Sequence, residues 1–183
     1  MNIENYIEII PHSLTRGTQL STAFILLMQE KGGERFLPII LQEKENELVE
    51  LALEKRLFPT IKAMLQLAQT LRIDFEFIVL SHDRDGLLKA SVMFLQDNRY
   101  RSITYPAVTG VLIAIANRIP ILVPRSVFNS QFSKQAAQGN VAIPIVAMSN
   151  ELLREALQAS IVDERFELSR LLTDELARRG LTP

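Results

Sequence analysis

A chain of 183 residues with 48% apolar and 22% charged side chains has the length of one ordinary domain and enough apolar mass for a core, so wholesale disorder is excluded. It has no cysteine and only His12 and His82, which excludes disulfides, thiol nucleophiles, iron–sulfur clusters and cysteine-based or multi-histidine metal sites. Its formal charge of −1 gives no global basic field, so contact with nucleic acid would need a local patch.

Met1 to Asn5 lacks the basic-then-apolar texture of a leader, and the longest apolar run, Val111 to Ala116, is too short to span a bilayer. The expectation is a cytoplasmic protein with no membrane partner. In chain order, the apolar runs Ala23 to Met28 and Arg35 to Leu41 flank Gly32-Gly33 and predict a β-hairpin. Pro38 cannot donate to a ladder, which makes the second run an edge or bulged strand. Glu43 to Lys55 is rich in Glu, Leu and Ala and reads as a helix, with Glu43, Glu47, Glu50 and Glu54 on one solvated face. Pro59 ends that unit. A second helix from about Thr60 carries Ile61, Met64, Leu65, Ala68 and Leu71 as its apolar stripe.

Phe75 to Leu80 and Leu87 to Leu95 predict strands joined across Asp83-Arg84-Asp85-Gly86, and Arg101 to Thr104 a further strand. Pro106 suits a helix start, and Val108 to Ile119 is apolar almost all round, the mark of a buried helix. Ile121 to Val123, bracketed by Pro120 and Pro124, is a short strand. The polar stretch Asn129 to Asn140 reads as linker, and Val141 to Met148 as one more strand. Leu153, Ala156, Leu157, Ser160 and Ile161 keep helical spacing, and Phe166, Ser169, Leu172 and Leu176 form a second stripe. The fold class is α+β: a mixed, largely antiparallel β-sheet packed with helices, plus a C-terminal helical hairpin or one long helix. The units are residues 1–128, a linker with an extra strand at 129–148, and a helical tail at 149–180.

Few residues stand out chemically. Asp83 and Asp85 suggest a cation pair, but no third carboxylate follows and the closing position of a calcium loop is Phe94, so a plain turn is preferred. His82 is read as a solvated residue beside that turn rather than a general base. Arg99 and Arg101, two apart on a strand, share a face and are candidates to hold phosphate. Arg178-Arg179 complement the dipole of the last helix. No phosphate-loop, dinucleotide, nucleophile-elbow or zinc-protease motif occurs.

Several segments carry a resemblance. Arg35 to Leu41 is similar to the R-x-L-P-I-x-I-G segment of the bifunctional nuclease (BFN) domain family, small bacterial and plant proteins associated with DNase and RNase activity. Glu45 falls on the Glu of that family's E-A pair, and Asp85-Gly86 on its hairpin. Ile103 to Ile121 lies without a gap on its I-D-x-R-x-S-D-A-I-A-L-A-L-R-x-x-x-P-I segment. The likeness covers residues 1 to 128. Phe166-Glu167, Ser169 and Asp174-Glu175-Leu176 resemble a UVR-type helical motif, which follows the BFN domain in some members.

The departures fall on polar positions. The family's His-Asp is Ile61-Lys62 here. The Asp, Arg, Ser and second Asp of its last segment are Thr104, Pro106, Val108 and Thr109, and Glu45 alone survives. Phosphodiester hydrolysis needs charge stabilisation and an activated water, commonly through a carboxylate-bound metal. The resemblance therefore implies a degenerate member with weak or lost nuclease activity. It would act through protein contacts, as a homo-oligomer or beside a related family protein, with the tail as docking element. The alternative is an active nuclease on DNA or RNA, with Glu45 as ligand or base, Asp83 or Asp85 assisting, Arg99 and Arg101 on phosphate, and Mg²⁺ or Mn²⁺ as cofactor. A small-molecule sensor is a third expectation, with no ligand indicated. A concave, carboxylate-bearing surface around Glu45 would speak for the enzyme; a filled apolar one would speak for the binding module.

Overall fold

The computed structural model describes residues 3–16, 24–56, 59–83, 87–131 and 145–181. Seven strands form one mixed sheet in the order β3-β2-β1-β7-β4-β5-β6. They are β1 (Tyr6–Arg16), β2 (Phe24–Glu30), β3 (Phe36–Leu41), β4 (Ile73–His82), β5 (Leu88–Gln96), β6 (Arg99–Pro106) and β7 (Ile121–Pro124). Two antiparallel meanders, β1 to β3 and β4 to β6, are joined through β7, which runs antiparallel to β1 and parallel to β4. The helices are α1 (Glu43–Leu53), α2 (Pro59–Thr70), α3 (Ala107–Asn117), α4 (Arg125–Gln131), α5 (Asn150–Val162) and α6 (Phe166–Arg178). The fold is α+β with a C-terminal helical hairpin.

Period-2 alternation decides how the sheet is covered. On β2, Leu26 and Met28 face a core shared with Val49 of α1 and with Val108, Val111 and Ala114 of α3. Its alternate residues, Ile25 and Leu27, face the other way, against Leu153, Leu157, Leu172 and Leu176 of α5 and α6. Burial on both faces explains why β2 reads as an unbroken apolar run. β3 is the edge strand expected from Pro38, whose register partner is Leu27 on the one neighbouring strand.

Helix α3 lies close on β5 because residue 110 is glycine. A Cβ built there would stand well inside van der Waals contact of the Ala90 Cβ. Between α5 and α6 two small side chains meet: the buried Ser160 hydroxyl lies 2.8 Å from that of Ser169 and donates to the Leu157 carbonyl.

Several expectations are corrected. β1 has no counterpart in the sequence reading. Pro11 interrupts its pattern, and it is tolerated because β7 pairs with β1 only from Tyr6 to Ile9, while the ladder to β2 shifts register between Pro11 and Ser13. Residues Ile145–Ala147, assigned to a strand, form a 3-10 turn. Ala23 of the expected hairpin and residues 132–144 of the expected linker and strand lie outside the described residues. Asn129 to Gln131, assigned to the linker, finish α4, which buries Phe128 in the core. The stripe of α2 is only partly used: Ala68 is buried, while Met64 is 65% exposed and Leu71 also faces solvent. Ile161 and Phe166 lie outside the packed faces of α5 and α6, because the chain turns between Asp163 and Arg165 and carries them to the tip of the hairpin. Among the described residues no helix is long and apolar enough to cross a membrane.

Candidate functional site: the cleft beside Glu45

Strand β3 leaves the sheet at Leu41 and enters α1, so the first turn of that helix sits at the sheet's rim. β4 ends and β5 begins at the same rim with His82 and Lys89, and β6 enters α3 there at Pro106. The start of α5 comes to it from the other side. Together these ends enclose a cleft of about 500 Å³ lined by Glu43, Glu45, His82, Lys89, Pro106, Val108, Glu151 and Glu155, among others. Glu45 is thus beside a concave surface, and that surface carries carboxylates.

Chemically the Glu45 carboxylate is already engaged. Its Oε2 accepts the Gln42 backbone N–H at 2.8 Å, closing the open first turn of α1 as a capping residue. Asp83 is engaged too: its Oδ1 accepts the Leu87 N–H at 2.9 Å and its Oδ2 lies 3.6 Å from Lys89 Nζ, which ties the start of β5 to the end of β4. Arg84, Asp85 and Gly86, the rest of the proposed turn, lie outside the described residues.

Arg99 and Arg101 are not part of this cleft. Pro106 pairs with Lys89 at the rim, whereas Arg101 pairs with Phe94 and Arg99 with Gln96. At about 3.4 Å per residue, Arg101 is therefore about 17 Å along β6 from the cleft and Arg99 farther still. Both are exposed on an edge strand. A hard divalent cation takes six or more oxygen ligands; Ca²⁺ draws most of them from protein, whereas Mg²⁺ keeps several waters beside one or two carboxylates. Among the described residues no three His, Asp or Glu side chains stand together in a geometry that would hold one. Among the described residues, the Glu45 carboxylate is held by the Gln42 N–H and stands in no such group.

Two features escaped the sequence reading. Glu151 and Glu155, one helical turn apart on α5, are carried onto the cleft by packing of the tail, and nothing local marks them. The second is an ion cluster around the buried Glu175 carboxylate. Glu175 receives Arg178 Nε and Nη2 at 2.7 Å and Arg179 Nε at 2.8 Å. Arg179 also donates to the carbonyls of Met148 and Val146 and to Asn150 Oδ1. Arg179 is thus a clamp on the chain entering α5, well beyond the dipole role expected of it. The hydrogen bond from Arg178, with Arg179 adding to it, holds the Glu175 carboxyl below its ordinary range against the opposing effect of burial.

No protein-family model matches the chain, and no curated protein matches it.

Proposed function

We propose that this protein is a degenerate relative of the bifunctional nuclease domains, with weak or lost hydrolytic activity, that works through protein contacts. The observation that carries the proposal is the lining of the cleft. Two segments that the resemblance marks as polar, far apart in sequence, meet there, one with Glu45 and the other with Pro106 and Val108. The meeting supports the family likeness. The chemistry of these three residues supports degeneracy: two are apolar and the third is a helix cap.

Charge points the same way. Four glutamates face the cleft against Lys89, which itself leans on Asp83. A phosphodiester backbone carries a dense negative charge and is drawn to Lys and Arg. A glutamate-rich lining repels it. Contact function has its surface outside the cleft, where Ile161, Val162, Phe166 and Leu171 are exposed around the tip of the α5–α6 hairpin. This reading takes the protein as cytoplasmic, assembling with its own copies or with an intact relative.

The alternative, a metal-assisted nuclease, is favoured by one observation: the surface at Glu45 is concave and holds His82 and Lys89 beside carboxylates. The decisive experiment is hydrolysis of single-stranded RNA and plasmid DNA by pure protein with Mg²⁺ or Mn²⁺, with chelator, and with Glu45→Gln, which keeps a capping oxygen while removing the charge. No hydrolysis above the chelator control is expected. Metal-dependent cleavage that disappears in Glu45→Gln would overturn the proposal in favour of the enzyme.

A further inference from the structure

The outward face of α6 carries Phe166, Glu167, Arg170, Leu171, Asp174, Ala177 and Arg178, all exposed. Phe166 is 77% exposed and Leu171 55%, a large apolar outlay for a helix whose opposite face already fills the core with Leu172 and Leu176. The charges between them alternate in sign along the axis: Glu167, Arg170, Asp174, Arg178. Read backwards, the same row runs positive, negative, positive, negative, at nearly the same spacing. Such a row is complementary to an antiparallel copy of itself and to no parallel copy in the same register.

We propose that two copies of this chain associate through this face, with the α6 helices antiparallel about a two-fold axis that crosses α6 at the level of Leu172. Arg170 of each copy then faces Asp174 of the other, and Glu167 faces Arg178. Leu171 of one copy meets Leu171 of the other beside the axis. Phe166 lies over Ala177 and the aliphatic stem of Arg178 of the second copy. The tip residues Ile161 and Val162 extend the apolar margin. Within one chain, Arg170 and Asp174 lie 3.9 Å apart and are 84% and 68% exposed, so both remain open to a second partner. Arg178 donates to Glu175, but Glu175 also holds Arg179, and the three together keep one positive charge for Glu167 of the second copy.

Apolar burial supplies the affinity of this arrangement, and the charge row supplies its direction and register. An interface built on one helical hairpin lies at the small end of specific interfaces, so association is concentration-dependent. The inference rests on the reading of the tail as a contact surface and is independent of the nuclease likeness.

The test is sedimentation equilibrium of the full chain over a wide concentration range, with Arg170→Asp and Asp174→Arg made separately. Both residues are exposed, and both variants lose the same intrahelical pair; circular dichroism and thermal melting check that each folds. Each variant alone places like charges opposite each other and is expected to associate about tenfold more weakly than the wild type. In the equimolar mixture one chain carries acidic side chains at both positions and the other carries basic ones, so every cross-axis pair is again of opposite sign. The mixture is expected to recover wild-type association as a heterodimer. A wild type that stays monomeric, single variants that associate like the wild type, or a mixture no stronger than its components would each overturn the inference. Nucleic-acid cleavage would overturn the functional proposal and leave this one standing.

Discussion

Arg179, which caps the end of α6, and Glu175, four residues before it, form an ion pair at 2.8 Å with side chains only 9% and 7% exposed. The same guanidinium reaches the Val146 and Met148 carbonyls. It therefore fastens the last helix to the chain that enters the hairpin from the sheet side. Without it, three backbone and side-chain acceptors and one carboxylate would lose a shared donor.

Removing one partner of a buried pair leaves the other charge without its counter-ion, at a cost of about 3–5 kcal/mol. Glu175→Ala should lower unfolding stability by an amount in that range, measured as a shift in the urea midpoint. It should also loosen the tail before the sheet, so amide exchange in α5 and α6 would rise first. Equal exchange in the variant and the wild type would show that the clamp carries no stability.

The same carboxyl makes stability depend on pH. Its pKa is lowered in the folded protein from an ordinary value of 4.5, chiefly by the hydrogen bond from Arg178. A depressed folded pKa contributes stability that is fully present above the unfolded value and is lost as pH falls through the folded one. Glu30 adds in the same sense, because Arg35 holds its carboxyl down by a hydrogen bond. Stability should fall below about pH 4.5, and Glu175→Gln should flatten part of that acid limb. An unchanged limb would assign the acid sensitivity to other carboxyls.

Gly110→Ala sets two effects against each other. In a helix interior, Ala is favoured over Gly by about 1 kcal/mol. Here the new methyl runs into the Ala90 Cβ, an atom fixed to the backbone of β5. Overpacking of this kind costs about 1–3 kcal/mol, so net destabilisation is expected. The combination Gly110→Ala with Ala90→Gly should recover part of the loss, and thermal unfolding of the three variants measures both terms.

Arg35, the residue before β3, ties β2 to α4. It makes two hydrogen bonds to Glu30, at 2.7 and 2.8 Å, donates to Asn129 Oδ1 and stands 4.9 Å over the Phe128 ring. Lysine keeps the charge but has neither the fork nor the flat face. Arg35→Lys should therefore cost about 1–2 kcal/mol in chemical denaturation. A loss near zero would reduce the contact to a surface ion pair.

Glu45→Ala tests a local role. Loss of a capping contact costs about 1 kcal/mol. Glu45→Gln, with one oxygen left for the Gln42 N–H, should lose less. Equal loss in both would mean that the negative charge at the start of α1, and not the hydrogen bond, is what matters.

What the sequence determined by itself is whatever depends on neighbours along the chain. Gly32-Gly33 between apolar runs marked the β2–β3 hairpin, Pro38 marked an edge strand, and the spacing of Leu153, Ala156, Leu157 and Ser160 marked the buried face of α5. These signals follow from backbone geometry and side-chain period, which need no partner. β1 escaped because Pro11 is acceptable only where β7 has already ended, a fact about a strand from the far side of the sequence. Only the tertiary structure decided the rest. It brought Glu151 and Glu155 to Glu45, separated Arg99 and Arg101 from it along β6, and buried the Glu175–Arg179 pair. It also left Phe166 and Leu171 facing outward. Burial and the meeting of charges belong to packing between distant segments, and a one-dimensional pattern records which side chains are apolar without recording which of them find cover.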